Sequence, residues 1–295
     1  MDSSSQLRIK LLLSLLCIIE FSGCVQKNYR YGLANQDLLS RIPRTPNLIT
    51  VGGDHPRIDS IERSVQYPGK IFRKWFPPSA PEENPETRRL LAVQTATDYL
   101  DDNGLTGVNV DVRDYNPREQ WNRLRSNTRI APFWKYTGGT LYHVGYCILP
   151  GRAFGMDSYN GFTNTLSINS TSPANSILHA GYVKKIYDQR YPGTYIAANW
   201  LPIVPLFRDS SVSNDVLTYA RIKGNWPLEK DLLPRTYAKL GGDAVAQATS
   251  LIPGVAYLPF YFTPALSAAG SAAGNAAGTF VAKNRENQLS PPLSR

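Results

Sequence analysis

Residues able to act as nucleophiles, proton carriers or soft metal ligands are scarce in this chain. It has three histidines, His55, His143 and His179, and three cysteines, Cys17, Cys24 and Cys147, in 295 residues. Three His leave little room for a His-based metal site, and three Cys exclude a disulfide-stapled scaffold and a Cys-rich zinc domain. One Cys–His pair, His143 with Cys147, has residue types that could support nucleophilic catalysis. Its run, Leu141-Tyr-His-Val-Gly-Tyr-Cys-Ile-Leu149, has strand-like composition. On a strand, four residues at roughly 3.3 Å each would hold the two side chains more than about 10 Å apart. That geometry predicts a buried structural cysteine.

Cys24 offers different chemistry. Residues 1–24 read MDSSSQLRIKLLLSLLCIIEFSGC, with Arg8 and Lys10 forming a basic start and Leu11 to Ile19 an apolar stretch. Nine apolar residues are too few to span a bilayer, so the segment reads as a signal peptide. Phe21-Ser22-Gly23-Cys24 resembles the lipobox of bacterial lipoproteins, in which small residues precede a cysteine that receives a diacylglyceryl group. The resemblance implies cleavage after residue 23 and lipidation at Cys24; an ordinary secretory signal cleaved nearby is the alternative. Several acyl chains would anchor the protein stably where one is marginal. Cys147 would then be the only remaining thiol.

The composition bounds the rest. Lys plus Arg exceed Asp plus Glu by 32 to 23, a formal charge of +9, and 42% of residues are hydrophobic. With 17 Tyr, 10 Phe and 5 Trp there is ample apolar surface for a core, which excludes wholesale disorder. No run of eighteen strongly apolar residues precedes residue 243, so a polytopic transporter is excluded. The densest basic set, Arg113, Arg118, Arg123, Arg125 and Arg129, is interleaved with Tyr115 and Trp121 but carries no nucleic-acid motif. A solvated face, or attraction to anionic lipid and cell-wall polymer, accounts for it better than a nucleic-acid partner.

The elements expected to position these residues follow from spacing. Residues 57–66 could form a short helix. Pro77-Pro-Ser-Ala-Pro-Glu-Glu-Asn-Pro85 is a linker, since four prolines in nine residues hold neither a helix nor a central strand. Glu86 to Asp102 has helical spacing, with Gly104 as its stop. Val108, Val110 and Val112 alternate with polar residues and predict a strand. Asn116-Pro117 opens a helix to about Arg125. Strands are expected at Thr140 to Leu149 and Thr163 to Asn169, with a loop over Pro150 to Gly161 between them. Helices are expected from Pro173 to about Arg190 and from Val212 to Ile222. The order predicts an α+β domain.

Within it, Ser172-Pro-Ala-Asn-Ser-Ile-Leu-His-Ala-Gly-Tyr-Val-Lys-Lys185 and the later Leu201-Pro-Ile-Val-Pro-Leu-Phe-Arg-Asp-Ser210 carry a second resemblance. Over roughly residues 88–240 the chain resembles exported bacterial proteins with a zincin-like H-E-x-x-H helix. In that group an edge strand precedes the metal helix, and a later helix supplies an acidic third ligand. A zincin needs two His one helical turn apart to grip zinc, and a Glu after the first to act as general base. The resemblance puts the first His at His179, the Glu at Ala180, the second His at Val183 and the acidic ligand at Asp209. Alanine cannot take a proton and valine cannot ligate a metal, so the motif is degenerate. No catalytic residue and no cofactor are expected, with His179 and Asp209 as residual zinc ligands and His55 or His143 open to recruitment.

From Ala244 to Ala282 no residue is charged, and Gly270, Gly274 and Gly278 recur every four residues along a helix face. Such spacing permits close backbone packing of the small-xxx-small kind. The expected organisation is therefore a signal peptide at 1–23, an extension and linker at 24–85 and a zincin-like α+β domain at 86–240. An apolar Gly/Ala-rich helical hairpin follows at 241–283 and a polar tail at 284–295. The expected function is noncatalytic binding or scaffolding in the cell envelope, lipid-anchored on the outer membrane or its periplasmic face. Envelope protein or anionic cell-wall polymer is the expected partner, and homo-oligomers could form through the tail. A residual zinc metallopeptidase and an oligomeric membrane element built on the glycine tail are the alternatives.

Overall fold

The computed structural model describes residues 29–42, 44–56, 58–64, 84–201, 203–250 and 262–289. The leader with Cys24, most of the proline linker and Pro253 and Pro259 lie outside them. The chain divides into two compact units. One comprises Arg30–Ala198; the other contains, of the described residues, Tyr29 and those from Asn199 onward.

In the first unit a short 3-10 helix, Gln36–Arg41, precedes β1, Leu48–Val51. A helical stretch over 58–64 follows, and then α1, Pro85–Asp102, which Asn84 caps by accepting the Glu86 N–H at 3.0 Å. Asn103 closes it, and Gly104 turns the chain with φ +63°, a left-handed conformation suited to glycine. Next comes β2, Asn109–Val112, and then α2, Pro117–Ser126, where the Asn116 side chain accepts the Glu119 N–H at 3.1 Å. The cap and the following proline explain why this start was legible.

The next segment departs from expectation. Residues 140–149 were expected as a strand, but Pro132–Trp134 begins a helix, Lys135–Gly139 makes a π turn, and α3 continues through Thr140–Ile148. A mostly apolar run with only Thr140, His143 and Gly145 to interrupt it carries no clear period to distinguish strand from helix. Pro132 in the first turn supplies the start, and extending a helix costs far less than nucleating one.

The expected loop also contains structure, a turn of helix α4, Gly151–Phe154, and β3, Ser158–Asn160. Then follow β4, Thr165–Ile168, α5, Pro173–Tyr187, and α6, Pro192–Ala198. The sheet has the order β1-β2-β4-β3. β1, β2 and β4 are parallel, with Leu48 opposite Asn109 and Asn109 opposite Thr165, and β3 is an antiparallel edge strand. Asp111 and Thr165 share the face that meets Arg123 of α2. Val110, Val112, Leu166 and Ile168, all buried, share the other. α5 packs on α1 and also meets β3 and β4.

The buried Asp111–Arg123 pair ties α2 to the sheet. Arg123 Nη1 lies 2.9 and 2.8 Å from the two carboxylate oxygens, and Gln120 donates a further bond at 2.9 Å. Burial pushes the Asp111 pKa up despite this company.

The second unit is helical: α7, Val204–Ile222, α8, Trp226–Ser250, and α9, Phe262–Leu289. α7 starts eight residues before the expected Val212, because Pro205 falls in its first turn, where a missing N–H costs nothing. α8 and α9 run antiparallel, and the glycines set their closeness. A Cβ on Gly270 would meet the Gly241 carbonyl, one on Gly274 the Tyr237 carbonyl, and one on Gly278 the Leu233 carbonyl at 2.6 Å. Ser267 donates to the Gly242 carbonyl at 3.1 Å, and Lys230 pairs with Glu286 at 2.6 Å. The first arm of this hairpin thus begins at Trp226, and the units divide at 198/199, whereas the sequence drew a boundary at 240/241. Residues 226–240 are charged and read as part of the preceding domain. No helix among the described residues is long and apolar enough to cross a membrane.

Candidate functional site

The four positions to which the zincin resemblance pointed fall on two helices. His179 sits in the middle of α5, half-buried, with its ring 5.5 Å from that of Tyr182. Ala180 and Val183 are both 0% exposed. The positions that would carry a general base and a second ligand are therefore filled by apolar side chains inside the core. Asp209 lies on α7, in the other compact unit, and is buried. Its carboxylate meets Arg208 Nε and Lys239 Nζ, each at 2.7 Å, and Lys239 also pairs with Asp243 at 3.1 Å. Burial alone would raise the Asp209 pKa, but the two cations outweigh it and bring it down to about 2. Among the described residues no group of three His, Cys, Asp or Glu side chains is arranged to hold a metal ion.

The residues that do converge lie elsewhere, where β1, β2 and β4 end. In sheets with parallel strands the loops at the carboxyl ends are the usual place for a ligand. Here those loops are Gly52–His55, Arg113–Asn116 and Asn169–Ser172. Gly52 lets two of them touch, since a Cβ there would collide with the Arg113 carbonyl. The loops are cross-braced by charge. Arg113 forms a forked pair with Glu62 at 2.9 and 2.8 Å. The buried Arg152 donates to Asp59 at 2.8 Å, to the Gly53 carbonyl at 2.9 Å and to the Arg113 carbonyl. Asp157 closes the third loop by accepting from Asn169 N, Ser170 N and the Ser170 and Ser176 hydroxyls, all within 2.9 Å. These acids are committed to bracing.

Outside the braces runs a train of rings. His55 meets Tyr115 edge-on at 6.0 Å, Tyr115 stacks on Tyr146 at 5.3 Å, and Tyr146 lies 6.5 Å from His143. The Tyr115 hydroxyl donates to the Cys147 carbonyl at 3.1 Å, and the Asn116 N–H donates to the Tyr146 hydroxyl at 3.2 Å. Cys147 is exposed, and its Sγ is 3.6 Å from His143 Nε2. The strand reading had separated these two side chains; the helix brings them together. Burial lowers the His143 pKa, which favours a neutral imidazole able to accept from the thiol. The pair still falls short of a triad: His143 Nδ1 is buried and makes no hydrogen bond among the described residues, so no third group orients the ring.

Sequence reasoning missed the His55–Tyr115–Tyr146–His143 train. The signal was Leu48-Ile-Thr-Val51 running into Gly-Gly-Asp-His55, a β-branched run before a glycine turn, which marks a strand and its carboxyl end. No family model, curated protein or solved structure matches this chain.

Proposed function

We propose that the protein is a noncatalytic lipoprotein, anchored in the cell envelope through lipid on Cys24, whose sheet-containing unit is an inactivated zincin-like domain used for binding or scaffolding. The observation that carries this reading is the burial of Ala180 and Val183 in α5. Neither side chain can polarise water or hold a metal, and both are packed as core residues. The order of elements supports the scaffold assignment: an antiparallel edge strand β3, then β4, then α5 with His179. Asp209 lies on α7 in the other unit, and its charge is spent there on Arg208 and Lys239.

A formal charge of +9 suits an acidic envelope partner such as an anionic cell-wall polymer. The glycine face is occupied by α8 of the same chain, so an oligomer through that face of α9 would require exchanging helices. Fractionation and fatty-acid labelling of wild type and Cys24→Ser test the anchor. Label and membrane association should both disappear in the mutant, or its precursor should persist uncleaved. Unchanged labelling would overturn it.

A further inference from the structure

Opposite the ring train, near the amino ends of β2 and β4, is a cleft of about 370 Å³ lined by Leu38, Thr128, Arg129, Tyr187, Gln189 and Arg190. Its central feature is Arg129, whose guanidinium carbon lies 3.6 Å from the centre of the Tyr187 ring. The ring is itself fixed. Tyr187 is buried, and its hydroxyl donates to the Thr106 carbonyl and accepts from the Asn164 amide, both at 2.9 Å. The turn bearing Arg129 is fixed too, since Asn127 accepts the Arg129 N–H at 3.0 Å and donates to the carbonyls of Gly161 and Phe162.

A guanidinium laid on an aromatic ring keeps its N–H edge available for a carboxylate or phosphate. Among the described residues no carboxylate forms an ion pair with Arg129. Asp188, adjacent in the chain to Gln189, accepts the Asn35 N–H at 3.0 Å. Arg190 brings a second cation to the same cleft. Gln189 donates its amide N–H to the Lys185 carbonyl at 3.0 Å, which turns its oxygen into the acceptor on offer, and Thr128 adds a hydroxyl. The volume falls in the range of small-molecule sites, roughly 300–1,000 Å³, and exceeds what a lone tetrahedral anion fills.

We propose that this cleft binds an anionic sugar: a phosphate or carboxylate held by Arg129 and Arg190, on a hydroxylated body that meets Gln189 and Thr128. The proposal deepens the envelope-binding reading and rests on it only for the origin of the ligand, because the cleft is tested in solution and the anchor by fractionation.

Titration of the full-length chain with glucose 6-phosphate, glucuronate, inorganic phosphate and glucose, followed by calorimetry, is the test. Saturable binding of both charged sugars is expected, with inorganic phosphate at least about tenfold weaker and glucose silent. Arg129→Lys keeps the charge but loses the fork, and should weaken binding by about tenfold or more; Arg190→Ala should do the same. Arg190 is exposed, so its removal leaves the fold intact even if a change at Arg129 disturbs the Tyr187 stack. Failure of both charged sugars to saturate overturns the proposal. So does unchanged affinity in folded Arg190→Ala, and so does inorganic phosphate binding as tightly as glucose 6-phosphate.

Discussion

Cys147 and His143 stand one helical turn apart on α3, with Sγ 3.6 Å from Nε2 and no residue of that helix buried. The helix therefore presents the thiol to solvent. Iodoacetamide added to the folded protein should alkylate Cys147 without denaturant, as read by peptide mass spectrometry. Protection that persists until the protein is unfolded would restore the buried-strand reading and contradict the helix.

Two glycines on helices should answer alanine with opposite signs. Gly145 on α3 has nothing within 4 Å of where a Cβ would stand, so Gly145→Ala should stabilise by about 0.5–1 kcal/mol through helix propensity. Gly274 on α9 faces the Tyr237 carbonyl, so Gly274→Ala must push α8 and α9 apart and should destabilise by about 1–3 kcal/mol. Urea unfolding of the two variants separates the cases, and stabilisation by both would mean the hairpin is not packed at the glycines.

The acid limb of stability should pass through Asp209. Its pKa is lowered from 3.8 to about 2 in the folded chain, by Arg208 and Lys239 against the opposing effect of burial. A lowered carboxylate contributes stability that is fully present above its unfolded pKa and is lost as pH falls through the folded one. Between about pH 5 and pH 2 the wild type should lose roughly 2 kcal/mol on this account, while Asp209→Asn should show a flatter profile. Parallel profiles for the two proteins would remove Asp209 from that role.

How much of this was legible depends on whether a residue's local signal was allowed to win. The Asn116-Pro117 cap emerged as read, because it is enforced within one turn of chain, and the Val110–Val112 alternation marked a strand, although Asp111 on its polar face is buried against Arg123. Residues 140–149 misled, because a mostly apolar run has no clear period and its helix is inherited from Pro132. The expected helix began at Val212, after Asp209, whereas α7 starts at Val204 with Pro205 in its first turn, where proline is an initiator. The ring train and the Arg129 cleft were missed for another reason. Each is assembled from loops and helix ends far apart in sequence, joined only by the parallel pairing of β1, β2 and β4. Nothing local in Thr128-Arg129 foretells the Tyr187 ring beneath it.

The noncatalytic reading stands on Ala180 and Val183, and the most direct check is the metal content of the purified full-length chain. After exposure to excess zinc and dialysis, elemental analysis should find well below one zinc per chain, and a peptide-library digest with that same sample should find no cleavage. One tightly held zinc per chain, removed by a chelator together with a peptidase activity, would contradict the account.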